Sequence, residues 1–145
     1  MPTTERVVTA TLDAAPYATH LTARGLPFIA DEPVEHGGQD RGPAPHELML
    51  AALASCTAIT MRMYAERKGW PFAGLRVTVR MQRVQEGREV DTRIHVGLER
   101  PEGLTDEQWA RMRQIAAACP VHRTLASPIH LMVDEDPPAA PATHG

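Results

Sequence analysis

Aromatic residues make up only 4% of this 145-residue chain, and there are just two cysteines. The shortage of rings excludes a core built on bulky aromatic packing. Ala, Val, Leu, Ile and Met must fill it instead, with elements that approach closely. Two cysteines cannot form the disulfide framework of a small secreted domain, and a reducing cytosol would not keep a structural bridge between them. A transient disulfide, a metal site or two inert thiols stay open. Excess charge of one sign is also missing: the formal charge is −3 and Lys and Arg are scattered. That pattern gives no electrostatic footprint for nucleic acid or an anionic membrane, so neither is expected as a partner. No glycine-rich phosphate loop follows a strand and no Gly-x-Ser-x-Gly elbow occurs. The first residues, Met-Pro-Thr-Thr-Glu-Arg, lack a signal-type apolar stretch, and the most apolar later segment, 48–61, is too short to span a bilayer. The expected location is the cytoplasm.

Apolar residues, at 43%, suffice for the core of one domain. Three β-like runs, at 6–12, 18–23 and 27–30, read as a small antiparallel meander. Residues 31–45 carry three prolines and three glycines without periodicity and read as a long loop. Pro45 can open a helix because its missing N–H is not needed in the first turn, and helix formers continue to Lys68 before Gly69 and Pro71. Between Leu48 and Met61 this helix is apolar or small on every side, so it must be buried all round. Residues 75–84 and 91–98 alternate, with Val77, Val79 and Met81 on one inward face and Thr92, Ile94, Val96 and Leu98 on the other. They predict a hairpin with its loop at 85–89. A second helix begins at the capping box Thr105-Asp-Glu-Gln and runs to Cys119–Pro120, with Cys119 on its apolar stripe. A last strand is expected at 129–133, followed by a disordered acidic, Pro- and Ala-rich tail over 134–145. The order is βββ-α-ββ-α-β, an α+β domain over 1–133. One copy offers too little surface to enclose the first helix, so a homodimer is expected, with Ala51, Ala52, Ala54, Ser55 and Ala58 allowing close approach.

Cys56 lies well inside the first helix, beyond the N-terminal partial charges that acidify a thiol. In apolar surroundings it is an inert small hydrophobe. To react it needs a cation from another segment, for which Arg41, Arg24 and Arg123 are the candidates. Cys119 precedes Pro-Val-His-Arg and so stands beside a turn with His122 and Arg123. Cys119 and His122 also have the spacing of two metal ligands, which Cys56 and His46 could complete, but no CxxC, HxH or HExxH accompanies them. No metal and no cofactor are expected.

The stretch Pro45-His-Glu-Leu-Met-Leu-Ala-Ala-Leu-Ala-Ser-Cys-Thr-Ala-Ile-Thr resembles the OsmC/Ohr family of osmotically induced and organic hydroperoxide resistance proteins. So do Cys119-Pro-Val-His-Arg-Thr-Leu and, ahead of the helix, Asp31-Glu-Pro and Gly37-Gly. The resemblance implies an intertwined homodimer with two long helices between wrapped antiparallel sheets, and a two-cysteine thiol peroxidase. Cys56 would attack a hydroperoxide and become a sulfenic acid, Cys119 would condense with it as a disulfide, and an external dithiol would reduce the bridge. The hydroperoxide resistance branch holds its thiolate with an early-strand Arg and a Glu just after the helix-opening Pro. Here His46 follows Pro45, Glu47 comes one step later, and no Arg stands in 13–19. Arg41 and Glu47 are the expected substitutes, and the chain looks more like the OsmC-like branch.

Overall fold

The structure is a computed structural model and describes residues 2–136. Three short strands, β1 (Thr9–Leu12), β2 (Thr19–Ala23) and β3 (Leu26–Ala30), form the expected antiparallel meander in the order 1-2-3. Arg24 and Gly25 join β2 to β3 with φ of 53° and 79°. Two successive left-handed residues give the turn whose twist suits a tight hairpin. Arg24 is thereby committed to an exposed turn. The loop that follows carries a single 3-10 turn at Val34–His36.

The long helix α1 spans Pro45–Lys68, with Pro45 in its first turn and Gly69 at φ 69° closing its end. Strands β4 (Arg76–Glu86) and β5 (Glu89–Glu99) pair antiparallel as a two-stranded sheet. Val77 faces Leu98, Val79 faces Val96 and Met81 faces Ile94, so the two inward sets meet across the ladder. Helix α2 (Asp106–Ala116) starts at a complete capping box: Gln108 N–H donates to Thr105 Oγ1 at 3.1 Å, and Thr105 N–H donates to Gln108 Oε1 at 3.0 Å. The core gathers where the second half of α1 meets α2 and the hairpin. Met61, Ala65, Leu104 and Met112 are buried there, with Tyr64, Trp70, Leu98 and Trp109 packed around them.

Three expectations change. Helix α2 stops at Ala116, and a further short helix, α3 (Pro120–Leu125), begins at Cys119. Cys119 therefore heads α3 and does not lie on the stripe of α2. Pro120, taken as a terminator, occupies the first-turn position in which proline starts helices well. Residues 129–133 form no strand within the chain: Ile129, Leu131, Met132 and Val133 are exposed and pair with no described strand. Of the tail expected to be disordered, residues 137–145 lie outside the described residues.

Helix α1 is not enclosed by its own chain. Leu53, Thr57, Met61 and Ala65, at four-residue spacing, form the one buried line along it, whereas Ile59 and Met63 remain 54% and 59% exposed. At 24 residues and mean hydropathy 1.4 over its most apolar window, α1 is long and apolar enough to cross a membrane, contrary to the length argument from 48–61. The core helix of a globular protein passes the same test. The meander makes no extended contact with any helix or with the β4–β5 hairpin.

Candidate functional site

The fold brings the two cysteines together. Cys56 projects from the middle of α1, and Cys119, fully buried, heads α3 where that helix packs on α1. The two thiols act on each other, and their acidities diverge. Burial and the neighbouring Cys119 push the Cys56 thiol above the ordinary 9.0, against smaller lowering by the Val121 N–H and the Thr60 hydroxyl. Burial also raises Cys119, but the Cys56 thiol and the N–H groups of His122 and Val121 together outweigh it and hold this thiol below 9.0. Thr57 lies against the Cys119 sulfur as well, but its hydroxyl proton goes to the Leu53 carbonyl at 2.7 Å. The acidifying groups are therefore the backbone at the head of α3 and the partner thiol. The two N–H groups act on the sulfur electrostatically without closing a regular side-chain cap.

Of the two, Cys119 is the readier to ionise and Cys56 the more reluctant. No cation stands among the groups that act on Cys56 within one chain. Arg41 sits instead on the meander side. It lines a cavity of about 580 Å³ with His20, Thr22, Phe28, Ile29 and Pro43, and its backbone N–H donates to Asp31 Oδ2 at 3.2 Å. Glu47 closes the start of α1, its Oε1 accepting the Ala44 N–H at 2.9 Å. That carboxylate satisfies an orphan donor of the first turn and sits favourably at the helix N-terminus. His46 is exposed beside it. Arg24 lies in the β2–β3 turn, and Arg123 lies exposed on α3, where its N–H bonds the Cys119 carbonyl at 3.1 Å. Among the described residues no three His, Cys, Asp or Glu side chains converge as a metal site, so His46, Cys56, Cys119 and His122 do not assemble one within the chain.

Beside the cysteines, Thr57 and His122 line a cleft of about 180 Å³ with Val96, Leu98, Arg113 and Ala116. Sequence reasoning passed over Asp31 as a site residue, although it is 2% exposed and accepts three backbone N–H groups. The signal was its place at the head of a loop with glycines at 37, 38 and 42.

Solved structures share this architecture. An organic hydroperoxide resistance protein of Legionella pneumophila is 16% identical, with a TM-score of 0.61 over 86% of this chain and 91% of that one. An OsmC-like protein of Vibrio cholerae is 14% identical, with a TM-score of 0.65 over 84% and 94%. OhrB, the organic hydroperoxide resistance protein of Bacillus subtilis, is 18% identical, with a TM-score of 0.55 over 83% and 90%. No curated protein matches the chain by sequence. The profile of the OsmC-like protein family matches residues 37–134, a span that contains α1, both cysteines and α3. The chain belongs to the OsmC-like protein family.

Proposed function

We propose that the protein is a thiol-dependent peroxidase that reduces organic hydroperoxides or hydrogen peroxide. The carrying observation is that the only two cysteines, 63 positions apart, meet as neighbours whose thiols act on each other. The Cys56 thiolate attacks the distal peroxide oxygen. The O–O bond breaks, the departing oxygen takes a proton from solvent and leaves as the alcohol, or as water from hydrogen peroxide, and Cys56 becomes a sulfenic acid. Cys119 then attacks the Cys56 sulfur, expelling water and forming the disulfide. An external dithiol returns both thiols, its own sulfurs becoming the disulfide. The lowered pKa of Cys119 suits it to resolve the sulfenic acid and later to leave as a thiolate.

Cys56 needs a positive charge to attack, because burial and its neighbour oppose its ionisation. Arg41 supplies it across a homodimer, in which the meander of one copy packs on α1 of the other. Three features support that assembly: the apolar face of α1 left open at Ile59 and Met63, the exposed apolar side chains of Ile129, Leu131, Met132 and Val133, and a meander that makes no extended contact with its own helices. The cytoplasm, with its dithiol reductants, is the compartment this cycle requires.

The names of the Legionella and Bacillus structures agree with this chemistry. Organic hydroperoxide consumption in the presence of excess dithiothreitol tests it. The wild-type protein is expected to turn over many times and Cys56→Ser not at all. Undiminished turnover in that variant would remove the Cys56 mechanism, and no consumption by the wild type would leave a non-catalytic homodimer with incidental thiols, which binds a small ligand or a metal.

A further inference from the structure

The loop between β3 and α1 is closed around a buried anion that belongs to the chain itself. Asp31 Oδ1 accepts the N–H of Glu32 at 2.7 Å, and Oδ2 accepts those of Gln39 at 3.3 Å and Arg41 at 3.2 Å. Asp40 stands between the last two donors at φ 55°, a left-handed conformation that turns both N–H groups toward the same oxygen. The ends of the loop are tied by Asp31 N–H to the Pro43 carbonyl at 3.2 Å, and its middle by Asp40 N–H to the Glu32 carbonyl at 3.1 Å. A side chain at Gly38 would bring Cβ to 1.9 Å from the Glu32 carbonyl oxygen, and one at Gly42 to 2.1 Å from that of Ile29. The backbone is packed on itself at both places, so the loop has little room to take another shape.

A loop built this tightly holds out one cation. Arg41 is exposed, lines the 580 Å³ cavity over β2 and β3, and places its charge near the Asp31 carboxylate. We infer that Asp31 is a positioning residue, whose buried carboxylate fixes the loop from Asp31 to Pro43 and thereby the place from which Arg41 presents its guanidinium. The inference rests on the assignment of Arg41 as the cation that activates Cys56. Asp31 touches neither sulfur nor peroxide and acts through the Arg41 backbone. In Asp31→Asn one of the two acceptor oxygens is lost and the charge with it, so the N–H groups of Glu32, Gln39 and Arg41 can no longer all be satisfied and the charge of Arg41 is no longer held in one place.

The test uses full-length protein carrying Cys119→Ser, so that Cys56 is the only thiol, and compares Arg41→Ala, Asp31→Asn and their combination. The readouts are Cys56 alkylation rate against pH, amide exchange at Gln39 and Arg41, and the thermal melt. Arg41→Ala should slow alkylation at neutral pH roughly tenfold, the effect of about one pKa unit. Asp31→Asn should slow it in the same direction with a cooperative melt retained and faster exchange at both amides. The double variant should be no slower than Arg41→Ala alone. Gly42→Ala, whose Cβ would press on the Ile29 carbonyl and not on the carboxylate, displaces the same loop and should reproduce the Asp31→Asn pattern if Asp31→Asn does not fold. Alkylation that changes in Arg41→Ala but in neither loop variant, or effects of the two residues that add, would overturn the positioning role. An unchanged Arg41→Ala would overturn the cation assignment first, and the positioning role with it.

Discussion

Cys119 heads α3 beside the thiol of Cys56 in the middle of α1, and each thiol moves the acidity of the other, Cys56 up and Cys119 down. Helix α1 fixes Cys56 in one geometry. The turn between α2 and α3 fixes Cys119 against it and aims the N–H groups of Val121 and His122 at its sulfur. Neighbouring thiols of this kind are the precondition for a disulfide, whose sulfurs must come to about 2.05 Å.

This mutual influence predicts opposite responses to removal of either partner. Cys56→Ala should raise the Cys119 thiol pKa, because a donor is lost, and Cys119→Ala should lower that of Cys56, because a destabilising neighbour is lost. Alkylation rate against pH in each single-thiol variant reads both directions. Movement of the two in the same direction would show that burial, and not the partner, sets their acidities.

The roles assigned to the two thiols predict a difference in stoichiometry. Cys119→Ser should consume about one equivalent of organic hydroperoxide in the absence of reductant and then stall or over-oxidise, because its sulfenic acid has no thiol to condense with. Loss of the first equivalent in this variant would give both cysteines one joint structural role.

Much of this architecture is legible in the chain before folding. Pro45 and Gly69 mark both ends of α1, the capping box marks the start of α2, and strand alternation gives the facing residues of β4 and β5. The end of α2 is not legible, because Ala116, Ala117 and Ala118 all favour helix and Pro120 can either stop one or start one. Residues 129–133 alternate as a strand, but a strand needs a neighbour, and the chain offers none in the described residues. Within the site, the cysteine pairing follows from the family resemblance. The work of Asp31 lies in backbone donors that no side-chain pattern reveals.

The open face of α1 predicts an obligate dimer. Sedimentation at micromolar concentration should give twice 15.9 kDa. A well-folded monomer under those conditions would contradict the assembly in which Arg41 reaches Cys56 of another copy.

The core at the far end of α1 predicts large losses on truncation. Met61 and Met112 are fully buried, and Met61→Ala or Met112→Ala should each lower stability by about 2–5 kcal/mol, the usual cost of removing a large buried side chain. Chemical denaturation at fixed protein concentration measures it. A loss below about 1 kcal/mol, smaller than the range for such truncations, would mean that the cavity collapses or that the core lies elsewhere.

The loop clamp predicts a pH dependence. Burial raises the Asp31 carboxyl, but the N–H groups of Arg41, Glu32 and Gln39 and the Arg41 charge outweigh it, so its folded pKa lies below the ordinary 3.8. Its contribution to stability is then fully present above about pH 4, the unfolded carboxylate value, and is lost as pH falls through the lower folded value. The stability difference between wild type and Asp31→Asn should be constant from pH 7 to 5 and shrink on further acidification. A difference that grows as pH falls would reverse the sign of the shift.

The most direct test of the central claim is the intact mass of the fully reduced protein after one equivalent of cumene hydroperoxide. A loss of two hydrogens, reversed by a dithiol and mapped to a Cys56–Cys119 bridge, is the result expected of a two-cysteine peroxidase. An unchanged mass, or added oxygen on methionine with both thiols still free, would contradict it.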